Sequence, residues 1–477
     1  MTRFGSVILG AAACCVTNAG LAQVDHRWDH WYWGENNGWQ FTADTVVPLD
    51  GSPMPLGYKA LSLSDPYTGD LLLFSDLQTF WNAQTQTLPT GIGNFTSLGN
   101  AAHVIDKIGQ PNERLLLFWG EGAGQTEGIW QTTIVLDANG GNGDLSGPAT
   151  MALPDKGLRS CVIPAHTSDT TWLLVDEPAT GAYYSYPITI SGIGLPVLAY
   201  PAVEPNPSAI LLKADRIGTR VVAWTHYNQR LDLFQFDRGS GLLSDTLTIW
   251  LDDIVNYTGF EFSPNGNVLY VAVNYSLSPR ITDVLQYDLS TWAHGPVNAS
   301  RTSVADTVPV EQLGGRLQLG PDDRIYVGRG SEDSTKLAVI MTPDEIGLGC
   351  DYRPNAIPLS GGRTIDFDVL TFPSIHWPIP LTNVGQNEGP PIRTESWTVY
   401  PIPAVDQAQV TIPSAYQNNA ILRVFDAHGG LRHSQPLTGG STVLLERGGL
   451  CRGLYMLELI RTDGYRIATR MVFADRP

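Results

Sequence analysis

The first four-fifths of the chain repeats one pattern of apolar and polar positions. In each copy an apolar strand precedes a polar turn, and a second, strongly apolar strand follows. The clearest copy reads FEFSPNGNVLYVAV, and its Ser-Pro-Asn-Gly stretch at 263–266 has the composition of a tight turn. Alternation of apolar residues on both sides of that turn predicts a β-hairpin. The copies occupy residues 60–74, 102–120, 160–175, 211–224, 260–273 and 317–328.

A third alternating segment follows several copies, most clearly at residues 230–237 and 283–290. The copies recur every ~45–55 residues, which is the length of one blade of a β-propeller. A single blade leaves both faces of its sheet uncovered, so several blades must pack around an axis. A tandem of β-sandwiches and a solenoid are the alternative architectures.

Two strand-like pieces remain outside these copies, at residues 31–42 and 364–377. A propeller ring closes when strands from both ends of the chain complete one blade, so these pieces predict a seventh blade. The predicted fold class is therefore all-β, with a seven-bladed β-propeller followed by a small C-terminal Ig-like antiparallel β-sandwich. Six and eight blades remain open alternatives.

The first residues have the features of an export signal. Arg3 precedes an apolar run over residues 4–16, and small residues lead to a predicted cleavage site after Ala22. The run is too short to span a bilayer. Lipidation at Cys14 or Cys15 is the alternative use of this segment. The predicted domains are a signal peptide at 1–22, a propeller at 23–377, a Pro/Gly-rich linker at 378–396 and a C-terminal domain at 397–477.

Composition narrows the classes of function. Of the 477 residues 43% are hydrophobic and 16% are charged, which supplies enough apolar material for a core. The net charge of −18 argues against nucleic acid or an anionic membrane surface as a partner. Removal of the signal leaves Cys161, Cys350 and Cys451, an odd and widely spaced set that matches neither a disulfide framework nor a zinc site. Buried free thiols are expected, with one bridge left open.

Several phrases in this order resemble a known family. The segment WYWGENNGWQF at 31–41, LLLFSDLQTFWNAQTQTLP at 71–89 and VIMTPDEIGLGCDY at 339–352 are similar to the WD40-like, seven-bladed propellers of proteins exported by the bacterial type IX secretion system. NGGNGDL, FSPNGNVLYV, QYDLS and LQLGPDDRIYVG fit the same order. The resemblance covers most of residues 25–377 and implies no shared catalytic residues.

The last eighty residues resemble the type A C-terminal sorting domain of the same secretion system. VYPIPAVD at 399–406 stands where that domain begins, although Ile402 replaces the usual Asn, and Gly430-Leu431 stands near an expected Gly-Arg. The segments AQVTI, LRVFDAHGGLRHS, LCRGLYMLEL and ATRMVF follow in the family's order. The residues that carry the sorting motif are Val399, Tyr400, Pro401, Pro403, Asp406, Asp426, Gly429, Gly453 and Tyr455.

This resemblance implies a route and a set of partners. The chain would cross the inner membrane as a Sec substrate, meet the type IX secretion machinery and its sorting peptidase, and be secreted or attached at the outer-membrane surface. Short alternating strands separated by HGG, TGG and RGG turns independently predict a small antiparallel sandwich in this region.

No metalloprotease, P-loop, nucleotide-fold or serine-hydrolase spacing occurs in the sequence. We therefore predict no catalytic residues and no cofactor. The acidic loop at 137–144 resembles a calcium loop but has Gly141 and Asn142 at the wrong positions, so a connecting turn is the main interpretation and calcium the alternative. His103 and His166 fall near turns of successive blades and would face one end of the ring, or serve as hydrogen-bonded structural residues.

Two further groups have a structural and a functional interpretation. Neighbouring carboxylates on a strand point to opposite faces, so the Asp252-Asp253, Asp322-Asp323 and Glu332-Asp333 pairs suit exposed turns better than acid–base chemistry. A tryptophan cluster before the first repeat would form core at the closing blade, or stack on sugar rings. Its members are Trp28, Trp31, Trp33 and Trp39.

The sequence favours a non-enzymatic binding or adhesion protein, exported to the cell surface, that uses one face of the propeller for a protein or glycan. The competing hypothesis is a hydrolase or lyase with a metal-assisted site in the central channel, built from His and acidic ligands on different blades.

Overall fold

The computed structural model describes most of the chain. The described residues are 25–32, 37–42, 45–55, 60–122, 126–157, 159–167, 169–201, 209–225, 230–251, 254–275, 281–305, 317–328, 336–358, 397–426, 431–448, 450, 452–461 and 466–474. The predicted signal peptide, the predicted linker and the predicted closing strand at 364–377 lie outside them.

The chain divides into two compact units, one over residues 24–379 and the other containing residues 380–477. Within the described part of the first unit, the strands form seven antiparallel sheets in chain order, numbered here as blades 1 to 7. The six repeated segments are the first two strands of blades 2 to 7, as predicted.

Blades 1 and 2 have three strands each in the described residues. Blade 1 comprises β1 His30–Tyr32, β2 Gly38–Phe41 and β3 Val46–Leu49. Blade 2 comprises β4 Leu61–Ser64, β5 Leu71–Ser75 and β6 Phe80–Asn82.

Blades 3 and 4 have two short outer segments that both pair with the third strand. Blade 3 comprises β7 Phe95–Asp106, β8 Glu113–Gly122, β9 Glu127–Val135, β10 Asp144–Leu145 and β11 Thr150–Pro154. Blade 4 comprises β12 Ser160–Pro164, β13 Thr171–Glu177, β14 Ala182–Thr189, β15 Gly192–Ile193 and β16 Val197–Tyr200.

Blades 5 to 7 are four-stranded meanders. Blade 5 comprises β17 Ala209–Ala214, β18 Arg220–Thr225, β19 Arg230–Asp237 and β20 Leu242–Trp250. Blade 6 comprises β21 Ile254–Phe262, β22 Val268–Tyr275, β23 Ile281–Asp288 and β24 Thr302–Ser303. Blade 7 comprises β25 Leu317–Leu319, β26 Ile325–Val327, β27 Lys336–Ile340 and β28 Tyr352–Pro358.

The sheets close into a ring because the first packs against the last. Trp31 and Trp39 of blade 1 lie in one apolar cluster with Tyr326 of blade 7 and Phe74 of blade 2. The Trp31 and Tyr326 rings meet edge to face with centroids 5.4 Å apart. Similar clusters join each later pair of neighbouring blades, so the apolar core lies between blades. The fold is a seven-bladed β-propeller.

Helical structure is scarce in the described chain. The α-helical segments are α1 Ala138–Gly141 and α2 His294–Ala299, and short 3₁₀ turns occur at Gly347–Cys350 and Ser414–Tyr416. No helix in this part of the protein combines the length and the apolar character needed to cross a bilayer.

The second unit is an antiparallel sandwich of two sheets with its own core. Alternate strand residues point inward, including Val410, Leu422, Leu457 and Phe473. Each strand predicted for this region is present. One sheet contains β29 Val399–Tyr400, β30 Gln407–Thr411 and β33 Thr442–Glu446, and the other contains β31 Asn418–Asp426, β32 Leu431–Thr438, β34 Gly453–Arg461 and β35 Arg466–Phe473.

Candidate functional site

Polar side chains on the first strands join neighbouring blades close to the ring axis. His103 Nε2 lies 2.8 Å from Ser160 Oγ, which links blades 3 and 4. Lys213 Nζ donates to Glu261 Oε2 at 2.9 Å and to the carbonyl oxygen of Leu317 at 2.8 Å, which links blades 5, 6 and 7. Because these groups are buried and bond to one another, they hold the ring together.

The two histidines singled out from the sequence are in different environments. His103 lies inside β7, where burial lowers its pKa to about 4 and keeps the imidazole neutral. Its Nδ1 has no hydrogen-bond partner among the described residues. His166 is exposed in the turn after β12. The alternative of a structural histidine therefore fits His103.

A buried charge cluster connects the segment before β1 to blade 3. Arg27 approaches Asp25 at 3.6 Å and Asp106 at 2.8 Å, and Arg114 Nε lies 2.5 Å from the other oxygen of Asp106. Burial raises the pKa of Asp25 to about 6, and it lowers the pKa of Arg114. Each carboxylate oxygen of Asp106 is thus paired with one guanidinium group.

The acidic loop at 137–144 is a connecting turn whose carboxylates have protein donors. Asp137 accepts a hydrogen bond from the Asn112 amide at 3.0 Å. Asp144 accepts from the backbone and the hydroxyl of Thr90 at 3.1 and 3.0 Å, and from its neighbour Leu145. These contacts explain both acidic residues without a cation, and calcium here stays an untested alternative.

Of the three carboxylate pairs noted in the sequence, Asp322-Asp323 lies in the described chain, and its two members have different partners. Asp322 accepts from the Tyr326 hydroxyl at 2.7 Å, and burial raises the pKa of this carboxyl. Asp323 is exposed and forms an ion pair with Arg216. The pairs at 252–253 and 332–333 lie outside the described residues. Within the described chain, no three His, Cys, Asp or Glu side chains come together as a metal site.

The tryptophans before the first repeat are core. Trp28, Trp31 and Trp39 are each at most 3% exposed, so no ring face is open to a sugar. Trp33 lies outside the described residues. Cys161 and Cys350 are buried free thiols, as expected, and burial raises the pKa of both. Cys451 is not among the described residues.

A cleft of about 450 Å³ separates blades 3 and 4 at the end where β7, the first strand of blade 3, finishes. Beside the cleft, the two blades are joined by an apolar cluster that includes Ile105, Ile129 and Ile188. Farther along β9, toward the end where β7 finishes, alternation brings Gln131 and Thr133 to the same face as Ile129. The facing positions therefore change from apolar to polar, and the blades leave a gap.

The walls of this cleft offer hydrogen-bonding groups that the described protein does not use. The side chains of Gln131, Thr133 and Thr150 line it from blade 3, and those of Thr171 and Ser191 line it from blade 4. None of the five has a side-chain hydrogen bond within the described residues. Thr171 is buried, Gln131 and Thr133 are half-buried, and Thr150 and Ser191 are exposed. At one end Asp106 is held by arginines and Lys107 by Glu113. The cleft is thus polar without a free charge.

This cleft was not expected from the sequence. Its only sequence signal is the replacement of apolar residues by Gln131 and Thr133 on the inward-facing side of a third strand. The same positions of β19 in blade 5 are Leu231 and Leu233.

The residues of the predicted sorting motif occupy several places in the sandwich. Val399 packs on the core, whereas Tyr400 is 76% exposed and Tyr455 is 5% exposed. Gly453 begins β34 and Asp426 ends β31, where it is the cross-strand partner of Tyr455. Pro401, Pro403 and Asp406 lie at the surface between the first two strands, and Gly429 lies outside the described residues.

No family model and no curated protein matches the chain. Among solved structures, a 6-phosphogluconolactonase-like protein of Bacteroides fragilis is 12% identical with a TM-score of 0.42, over 71% of this chain and 94% of that one. Hsv2 of Kluyveromyces lactis is 11% identical with a TM-score of 0.38, over 66% and 90%. The extracellular domain of a protein described as a one-component system of B. thetaiotaomicron is 12% identical with a TM-score of 0.37, over 94% and 55%. The propeller assignment rests on the seven sheets and on their packing into a ring.

Proposed function

We propose that this protein is an exported β-propeller that binds a ligand at the cell surface or after release, and that it does no chemistry on that ligand. The cleft between blades 3 and 4 carries this proposal. It presents unused hydroxyl and amide groups, and the charged residues at its end are held in ion pairs. Groups of this kind orient a bound molecule, whereas catalysis requires a poised acid, base or nucleophile.

We further propose that the C-terminal sandwich is the export signal read by a type IX secretion system and its sorting peptidase. The ordered motif phrases support this role, as does their position at the start of β29 and β34 and at the end of β31 in a unit with its own core. A module with its own core can be recognised and removed without unfolding its neighbour.

Deletion of residues 397–477 tests the export route. The truncated protein, expressed in a bacterium with a type IX secretion system, should accumulate in the periplasm in a folded, protease-resistant form and be absent from the surface. Surface arrival of the truncated protein would contradict the sorting role.

Binding of the full-length protein to glycan and protein arrays tests the binding role. We expect saturable binding to at least one class and no turnover of the bound molecule. Release of a product, or a stoichiometric metal that is required for it, would favour the hydrolase or lyase hypothesis.

A further inference from the structure

In the next three blade interfaces, the connection between the third and fourth strands of one blade contacts the blade before it. Blade 4 shows this first. Trp172 Nε1 donates to the carbonyl oxygen of Arg238 at 2.8 Å, and Ser185 Oγ donates to that of Gly241 at 2.7 Å. Both carbonyls belong to the turn between the third and fourth strands of blade 5.

The same arrangement recurs between blades 6 and 7. The Tyr270 hydroxyl donates to the Pro343 carbonyl at 2.9 Å, and Gln286 Nε2 donates to the Glu345 carbonyl at 2.8 Å. Gln286 Oε1 accepts from the backbone N–H of Gly347 at 2.6 Å. The side-chain amide of Gln286, on the third strand, therefore hydrogen-bonds to both a carbonyl and an N–H of the neighbouring main chain.

Between blades 5 and 6 the contact is made by a side chain. The loop that follows β23 places the Trp292 ring 5.1 Å from the guanidinium of Arg220, and the indole N–H donates to the Asp245 carbonyl at 2.9 Å. In each case the third-to-fourth-strand connection of one blade lies against the second or third strand of the blade before it.

Blade 4 has too short a connection to do this. Thr189 pairs with Gly192, so only Ile190 and Ser191 form the turn. Thr133 of blade 3 and Gln286 of blade 6 occupy equivalent positions on their third strands. Thr133 pairs with Leu115 and Gln286 pairs with Tyr270, and each pair lies next to the end of the first strand of its blade. Gln286 is therefore covered by main chain of blade 7, whereas Thr133, at the equivalent position, faces the cleft and is not covered by any described part of blade 4.

We propose that the cleft between blades 3 and 4 binds a short, uncharged peptide segment of a partner protein, held by main-chain hydrogen bonds to Gln131, Thr133 and Thr150. This inference rests on the proposed binding function and names its ligand class. The equivalent positions in blades 4 and 6, Ser185 and Gln286, bind peptide groups, and the volume lies within the ~300–1,000 Å³ range of ligand pockets. Among the described residues that line the cleft none is aromatic, so they offer no stacking surface of the kind that favours sugars.

Two substitutions test the site without touching the core. Gln131→Ala removes an amide that has no partner within the described residues, and Thr150→Trp places a large ring at an exposed position of β11, directly across from Gln131. Gln84→Ala is the matched control, because Gln84 is exposed in blade 2 and does not line the cleft. Thermal melts of the three full-length variants verify that each is folded.

The probe is a random seven-residue peptide library displayed on phage and selected on the immobilised full-length protein. Fluorescence anisotropy with the enriched peptides should show about tenfold weaker binding to Gln131→Ala, which corresponds to the loss of one or two hydrogen bonds. Thr150→Trp should abolish binding, and Gln84→Ala should bind like the unchanged protein.

Three outcomes would overturn the inference. Peptides that bind all variants equally would place the site elsewhere while leaving the binding function intact. Soluble glycans that bind and lose affinity in the cleft variants would identify a sugar site. Failure to enrich any peptide would remove peptides as the ligand class, and the glycan and protein arrays would then decide the proposed function separately.

Discussion

Lys213 and Glu261 form a buried ion pair between the first strands of blades 5 and 6, with 2.9 Å between Nζ and Oε2. The carboxylate is 1% exposed and also accepts the backbone N–H groups of Phe262 and Leu319. Lys213→Met should lower the free energy of unfolding of the propeller by ~3–5 kcal/mol, because it leaves a buried charge without its counter-ion. Urea denaturation followed by tryptophan fluorescence measures this loss. Lys213→Met combined with Glu261→Gln should recover part of it; no recovery would show that lost packing is the cause.

The depressed pKa of His103 should make stability depend on pH. The folded state resists protonation down to about pH 4, whereas the unfolded chain takes up a proton near pH 6.5. The contribution of neutral His103 to the free energy of unfolding is fully present above pH 6.5 and decreases as the pH drops toward 4. The free energy of unfolding should fall by about 2 kcal/mol between pH 7.5 and pH 5.

Comparison with His103→Gln isolates this contribution. The raised pKa of Asp25 acts in the opposite direction, because its stabilising effect is complete below pH 3.8 and is lost as the pH rises through about 6. Asp25 is present in both proteins, so the difference between their urea midpoints at pH 5 and pH 7.5 reports His103 alone. Equal pH profiles would contradict the prediction.

Removing Trp31 should weaken the ring where its ends meet. The side chain is 1% exposed and packs between blade 1 and Tyr326 of blade 7, so Trp31→Ala should cost about 3–5 kcal/mol. Trp250→Ala is the control, since Trp250 is 53% exposed and its contact with Arg230 is worth at most about 1 kcal/mol. Thermal denaturation measures both; similar losses would mean that Trp31 does not hold the closure.

Substitutions of the two motif tyrosines should affect export and stability differently. Tyr400→Ala should leave the melting of the sandwich within about 0.5 kcal/mol of the unchanged protein, because the side chain is exposed, yet reduce display at the cell surface. Tyr455→Ala should impair both, because Tyr455 packs on Phe473 in the core. Surface labelling of intact cells gives the display level. Leu444→Ala, an exposed control on the sheet of Tyr400, should be displayed normally.

The hairpins could be predicted because each one is specified locally. In the turn at 263–266, Gly266 has a φ of 72°, which glycine adopts without strain, and Ser263 and Asn265 bond within the turn. Alternation on both sides then determines which residues face a neighbouring blade. The same logic placed the strands of the C-terminal sandwich.

The cleft could not be predicted because it depends on parts of the chain that meet only in the ring. Gln131 and Thr133 look like ordinary polar strand residues, and Ile190-Ser191 looks like an ordinary turn. Whether a loop of one blade reaches the strand of another is set by radial packing. The same limit applies to His103, whose proximity to a turn in sequence did not reveal its burial next to Ser160.

The contact between Trp31 and Tyr326 also determines when the molecule can finish folding. These residues are almost three hundred positions apart in the chain. Blade 1 can therefore complete the cover over its tryptophans only when blade 7 is available, and contacts of such long range slow folding. Until then the N-terminal strands of the propeller remain accessible to chaperones and proteases. The ring therefore acquires its resistance to proteolysis late and in one step.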